Sequence, residues 1–579
     1  MTSKTPNFDK ALDAILKDLK PHTRKCGKCG YDFEIFKEDI EFYHKLRVPP
    51  PTLCPDCRKQ RRLAWSNNAS FYKRKCDAPG HSEEFISLYP PELNWKVYDN
   101  NFWWSDKWDS QSFNQNYDLS RSFFDQLGEF YKNFPLIQTN RDPSSVGSEY
   151  TAYGLELKDC YYVFGGIKSE NVMYGSWPFF SRDCLDILIA FKSELCYEIV
   201  SGINGYNCKF IYFSDNCLDS AFLYDCKNCT HCFGGVNLRN KNYYFMNKAL
   251  TKEEYEKKMK EINLGSRRQL YLWRDEFQKL LAGEIRRATR NEKTVNSIGT
   301  FLRNSKDCFM CFWIEGGENL RYADYVGMAK DSMDVSVGGG LMKAFMERLY
   351  EVNNSGPYDV KFSNLVRTSN SVEYSINCGS LENCFGCVGL RNKKYCIFNK
   401  QYSEENYWKL LEEIKTKMLA AGEYGEFFPI SMSPYPYNAS LAQFEYPLTK
   451  EEVEKIGGYW AENPASLEGI DPKNILRNEQ IPDDIEDVGD DILQKVLICE
   501  VTGKPFMITK TELEFYRKKN LPLPTKHPYQ RLMERWAMKT PFRLWKYPCA
   551  KCGQEMYTSY APELKLKVYC EKCYLQEVV

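Results

Sequence analysis

Only five histidines stand in the 579 residues, His22, His44, His81, His231 and His527, and none lies beside a Cys or Ser nucleophile motif. HExxH, a phosphate-cradling P-loop and GxGxxG are all missing. No apolar run reaches bilayer-spanning length. The start, MTSKTPNFDKALDAILKDLK, lacks signal-peptide character. It reads as an amphipathic helix within 1–24, with Phe8, Leu12, Ile15 and Leu19 on one face. A cytoplasmic protein of several domains, with no membrane contact, is expected. In that setting, 24 Cys favour free thiols and metal thiolates over disulfides.

Net charge is also absent, but the charges are unevenly placed. Residues 1–75 hold 17 Lys/Arg against 9 Asp/Glu, and 497–579 hold 15 against 8. Ends of +8 and +7 therefore flank an interval of −15. Basic ends on an acidic body suggest that the ends meet a polyanion. Four thiolates on one Zn²⁺ leave −2, which trims each end.

What the chain does have, it has twice. Cys26 to Trp65 reads CGKCGYDFEIFKEDIEFYHKLRVPPPTLCPDCRKQRRLAW, and the pattern returns 473 positions on, from Cys499. Phe33 and Phe506, Glu41 and Glu514, Phe42-Tyr43 and Phe515-Tyr516, and Pro49 and Pro522 fall in register. The first copy, 25–75, carries two CxxC knuckles, Cys26/Cys29 and Cys54/Cys57. Two such pairs around a short β-rich loop point to one Zn²⁺ in a closed tetrahedron of thiolates. A closed site has no position for water, so it is structural, and its binding energy is folding energy. The second copy, 497–548, has Cys499, Thr502, His527 and Gln530 at those places. Thr and Gln are poor zinc ligands, so Cys499 and His527 read as relics.

A further module follows each copy. Cys549-Ala-Lys-Cys552 and Cys570-Glu-Lys-Cys573 give a second complete set within 549–579. In 76–105, Cys76 matches Cys549, while Asp99 and Phe102 stand where Cys570 and Cys573 stand. Two structural zincs are expected, each metal-less ribbon packing on its zinc-bearing partner.

The motifs CxxCGxxF and FYxxxxxPxPxxCPxCRxxRR resemble a family of bacterial zinc-ribbon domains with no assigned function. The wider arrangement resembles uncharacterised bacterial multi-zinc-ribbon proteins. The resemblance covers roughly the first and last 80 residues. It implies zinc and a ribbon or treble-clef-like fold, and no reaction.

Between the ends, 106–145 reads as a helical connector, with Phe123, Phe124, Leu127 and Phe130 on a helix. From 146 the pattern changes. Asp or Asn precedes Cys repeatedly, and Cys160, Cys184, Cys196 and Cys208 sit at multiples of 12, followed by steps of 9 at Cys217 and Cys226. A short period with polar corners and aromatic or β-branched runs suits a β-solenoid, with Cys packed inside as a small hydrophobe. The block 146–248 matches 298–400: KDCYYVFGGIKSENVMY returns as KDCFMCFWIEGGENLRY, and CFGGVNLRNKNYYFMNK as CFGCVGLRNKKYCIFNK. A helical insertion, 249–297, opens with a Thr251/Glu254 capping box. A helix at 401–422 and a Pro-rich, acidic extended linker at 423–496 follow. The expected class is mainly β and multidomain: a duplicated β-solenoid-like centre with helical insertions, flanked by zinc-ribbon modules. Cys226, Cys229 and Cys232 form the alternative metal set, weighed against a buried Cys ladder. Cys308/Cys311 and Cys384/Cys387 read as packing pairs.

Three functional readings follow. The preferred one is a non-enzymatic zinc scaffold whose basic ends contact RNA, DNA, or a ribosomal or transcription complex. It rests on Arg58, Lys59, Arg61 and Arg62 of one helix and on Lys73, Arg74 and Lys75, with Trp65, Phe71 and Tyr72 for stacking. The second is a protein-interaction scaffold using an acidic solenoid face. The third is a carbohydrate enzyme with Trp103, Trp104, Trp108 and Trp177 against sugar rings.

Overall fold

The computed structural model describes residues 3–338, 345–462, 467 and 469–578. Parts of the expected blocks 298–400 and 423–496 therefore lie outside the described residues. Among the described residues the chain is mostly sheet, with thirteen α-helices. No described helix is long and apolar enough to cross a membrane.

Two large sheets dominate, one of eleven strands from Thr151–Ala152 to Lys248–Ala249 and one of twelve from Ile298–Arg303 to Lys400–Gln401. All their pairings are parallel except the last of each, a short antiparallel return. In the first sheet each residue pairs with the residue 12 further on: Leu185 with Tyr197, Tyr197 with Lys209, Lys209 with Ala221, Ala221 with Phe233. The second keeps the step in places, as in Val360↔Val372 and Cys384↔Cys396. It departs at Met333↔Tyr350, where the chain between the partners is longer. Strands Glu318–Arg321 and Asp324–Gly327 both pair with Lys306–Glu315 and with Ala329–Gly338, so these four close a ring of pairings.

Backbone chemistry explains the polar corners. Along the first sheet every third residue has a positive φ, as at Asp183, Asp186, Ile189 and Lys192, or Asn204, Asn207 and Phe210. Among residues with a side chain, Asn and Asp tolerate this left-handed conformation best. The residue after each such corner can turn inward. Cys160, Cys184, Cys196 and Cys208 follow Asp159, Asp183, Leu195 and Asn207, and all four are buried. Exposed Asn side chains stack in a ladder of their own: Asn204 donates to Asn216, Asn216 to Asn228, and Asn228 to Asn240, at 2.8–2.9 Å. The 9-residue steps at Cys217 and Cys226 are not shorter repeats. The pairing step stays at 12, and these thiols line other sides of the same interior.

Aromatic outer faces of the ladders are covered crosswise. The N-terminal region packs on the second ladder, joining Phe8, Phe42 and Trp65 to Met333, Tyr350, Phe362 and Tyr374 in one core. The C-terminal copy packs on the first ladder, joining Phe506, Leu513, Tyr516 and Trp536 to Leu185, Tyr197 and Phe210. The metal-less ribbon around Cys499 thus packs on a ladder. Its four-cysteine neighbour contributes Tyr560 and Val568 to a separate small core with Ala288. The first helix, Pro6–Leu16, buries Phe8, Leu12 and Leu16, not Ile15. It stops before Leu19, which still packs partly buried against the same core. The Thr251/Glu254 capping box is present.

Candidate metal centres

The first centre is built by a hairpin and a helix. Strands His22–Lys25 and Asp32–Ile35 pair antiparallel, and the turn between them carries Cys26 and Cys29. Gly30 takes φ +74°, which lets its N–H return to the Cys26 carbonyl at 3.0 Å. Cys54 precedes the helix Pro55–Leu63, and Cys57 lies in its first turn. The Cys54 N–H donates to Cys26 Sγ at 3.3 Å. All four sulfurs lie within 4.8 Å of one another, and Cys29 and Cys54 are 3.8 Å apart. Zn–S bonds of about 2.3 Å in a tetrahedron give S···S of about 3.8 Å, so the site fits zinc. The hydrogen bond between Cys54 and Cys57 pulls the Cys54 thiol down to about 5 and raises the Cys57 thiol, so the two titrate as a pair.

The last module repeats this geometry. Cys549 and Cys552 lie in the turn of Trp545–Pro548 with Glu555–Thr558, and Cys570 and Cys573 lie at the helix Glu571–Val578. Cys552 and Cys570 are 3.9 Å apart. At Cys549 burial raises the thiol, but N–H groups of Cys552, Cys570 and Lys551 outweigh it and bring it to about 6.

The relic site keeps the fold of a knuckle without its ligands. The Gly503 N–H reaches the Cys499 carbonyl at 2.9 Å, as Gly30 reaches Cys26. His527, in the place of Cys54, caps the helix Pro528–Met538 by accepting the Tyr529 N–H at its Nδ1, 3.0 Å away.

Cys226, Cys229 and Cys232 do not assemble as a metal group among the described residues. Each is buried, and each thiol donates to the carbonyl two residues earlier. Burial likewise pushes Cys160 up to about 11, so this interior thiol stays protonated and packs as a hydrophobe. A further group, Cys76, His81, Glu83 and Asp99, lies outside the sequence expectation. Its one signal in the sequence is His81, a scarce residue, five positions after Cys76.

The basic helix is not offered to solvent. Arg58, Lys59, Arg61 and Arg62 are all buried. Arg58 Nε donates to Asp334 at 2.9 Å, and Arg62 to Asp334 at 3.2 Å and Glu351 at 3.0 Å. Arg61 bridges Glu351 and Glu426, and Lys59 donates to the Phe542 carbonyl. Burial alone raises the Glu351 carboxyl, but Arg62, Arg61 and Arg58 outweigh it and hold it low. Arg74 turns back to the Pro90 and Trp95 carbonyls and to Asp77, while Lys73 and Lys75 remain exposed. The aromatics turn inward as well. Trp65 and Tyr72 are buried, and Phe71 stacks on Phe164 at 4.6 Å. Trp103 packs on Trp108 at 4.8 Å, Trp177 on Tyr325 at 4.3 Å, and Trp104 is partly buried.

The C-terminal copy makes the same anchor in the other ladder. Arg531 and Arg535, each 473 positions after Arg58 and Arg62, reach Asp186 at 2.7 and 2.8 Å. Tyr322 donates to Asp39 at 3.2 Å, and Tyr174 to Glu512 at 2.9 Å. No family model matches the chain, and no curated protein matches it. Without such a match, the two four-cysteine clusters are compatible with zinc-ribbon-like modules on their geometry alone.

Proposed function

We propose that this chain is a non-enzymatic binding scaffold: two related β-solenoids, each held by a ribbon-derived clamp, with two structural Zn²⁺ in the four-cysteine centres. The observation that carries this reading is the doubled anchor. Arg58 and Arg62 grip Asp334, and Arg531 and Arg535 grip Asp186, at matched places of two ladders with a 12-residue pairing step. Matched anchors on matched ladders support duplication of the whole ladder-plus-clamp unit. On this reading the basic ends first neutralise the acidic body of their own chain.

Contact with a polyanion such as RNA then falls to the outward lysines. Lys73 and Lys75 lie two apart on the strand Tyr72–Lys75, so they share its exposed face, and Lys25 is exposed beside the first knuckle. Tyr31, 77% exposed next to that knuckle, is a stacking platform for a base. Fluorescence anisotropy with single-stranded RNA over a salt series tests this. The expected affinity falls with salt, and Lys73→Ala/Lys75→Ala weakens binding and lowers the salt slope by about 1.4. Binding that is absent, or unmoved by that variant, contradicts the RNA contact.

A further inference from the structure

Cys76, His81, Glu83 and Asp99 each bring one donor atom within 4.8 Å of the others, outside both four-cysteine clusters. Their module follows the backbone of the last one. The Cys76 N–H donates to the Glu83 carbonyl at 3.0 Å, as Cys549 does to Gln554 at 2.8 Å. Asp77 donates to the Val97 carbonyl as Ala550 does to Val568. The Ala78 N–H points at Cys76 Sγ from 3.4 Å, and the Lys551 N–H points at Cys549 Sγ from 3.4 Å. The sulfur of Cys76 is therefore presented as a ligand sulfur is presented in the C-terminal four-cysteine centre.

The lost thiols have stand-ins. Asp99, in the place of Cys570, has its side chain 14% exposed and lies 3.5 Å from Cys76 Sγ through Oδ2. Phe102, in the place of Cys573, meets the His81 ring edge-on at 5.1 Å and steadies it. His81 Nδ1 lies 3.2 Å from Asp99 Oδ2 and 2.7 Å from Glu83 Oε1.

We propose that Cys76, His81 and Asp99, with Glu83 as fourth donor, hold a third divalent cation, Zn²⁺ by its donor set. Nitrogen and oxygen ligands at about 2.0–2.1 Å in a tetrahedron stand about 3.3 Å apart. The His81–Asp99 separation matches that, and the longer Cys76–Asp99 separation suits the longer Zn–S bond. The His81–Glu83 separation is shorter, and Glu83, with its side chain 54% exposed, is free to move outward. One thiolate, one imidazole and two carboxylates make a harder set than four thiolates. With Glu83 open to solvent, this ion exchanges where the ions held by four thiolates do not.

Elemental analysis of the full chain after zinc loading and desalting, wild type beside His81→Ala/Asp99→Asn, tests the site. The expected result is one ion fewer per chain in the variant. The reading is a difference, so failure of either four-cysteine centre lowers both counts and leaves it intact. Equal counts overturn the proposal. If the double variant does not fold, Glu83→Gln replaces it, since that side chain is on the surface. One ion is then released to a chelator about tenfold faster than in wild type, the others unchanged. Superimposable release traces overturn the site.

Discussion

Asp186 and Asp334 occupy matched corners of the two ladders, both with left-handed backbone, and each is gripped by two arginines spaced four apart on a helix. That spacing puts both guanidinium groups on one helix face. Asp186 is 1% exposed and Asp334 is fully buried, so each charge depends on its partners for solvation.

Removing one side of such a buried set leaves uncompensated charge. Asp334→Asn is expected to lower the unfolding free energy by about 3–5 kcal/mol, and Asp186→Asn by a similar amount. Lys73→Ala, which loses only an exposed pair with Glu84, is expected to cost less than about 1 kcal/mol. Chemical denaturation compares the three. An Asp334→Asn protein as stable as Lys73→Ala contradicts the anchor.

The relic histidine makes stability depend on pH. Burial, then Lys504 and Arg531, lower His527 from 6.5 to about 4. The unfolded chain then binds the extra proton, so the neutral ring stabilises the fold above pH 6.5. That contribution is lost as pH falls toward 4. The stability of wild type relative to His527→Gln should shrink over this window. A difference constant from pH 7 to 4 contradicts a neutral capping ring.

Cys54 and Cys499 belong to matched stretches of sequence and have different roles. With zinc in the first four-cysteine centre as proposed, Cys54→Ser removes a ligand, and with it a site contributing on the order of 10 kcal/mol, so the first ribbon should unfold and become protease-sensitive. Cys499→Ser changes one buried core atom and should cost about 1–3 kcal/mol. Limited proteolysis with elemental analysis separates them: a zinc loss on Cys499→Ser shows that the relic still binds metal.

The sequence makes the ligands of both four-cysteine centres legible because thiolate chemistry ties them to a fixed spacing in the chain. The step of 12 is also legible, through Cys160, Cys184, Cys196 and Cys208. The three-residue corner rhythm is harder to see, because residues such as Ile189 and Phe210 take the left-handed conformation alongside Asn and Asp. The basic helix is misleading for a different reason. Composition gives the charge of Arg58 and Arg62, but their partner Asp334 lies more than 270 positions away, beyond any local pattern. The Cys76 group is hidden because its donors are of three chemical types and match no single motif.

A zinc in the first ribbon is expected to hold an internal clamp. Cys54 and Cys57 sit at the start of the helix that carries Arg58 and Arg62, whereas the helix carrying Arg531 and Arg535 starts at His527, whose side chain accepts the Tyr529 N–H. Hydrogen exchange with and without a zinc chelator tests this on the intact chain. Strand Ala329–Gly338, which bears Asp334, is expected to lose protection on zinc removal, while strand Arg182–Phe191, which bears Asp186, keeps it. Unchanged protection of Ala329–Gly338 after complete zinc removal would contradict a zinc-held clamp.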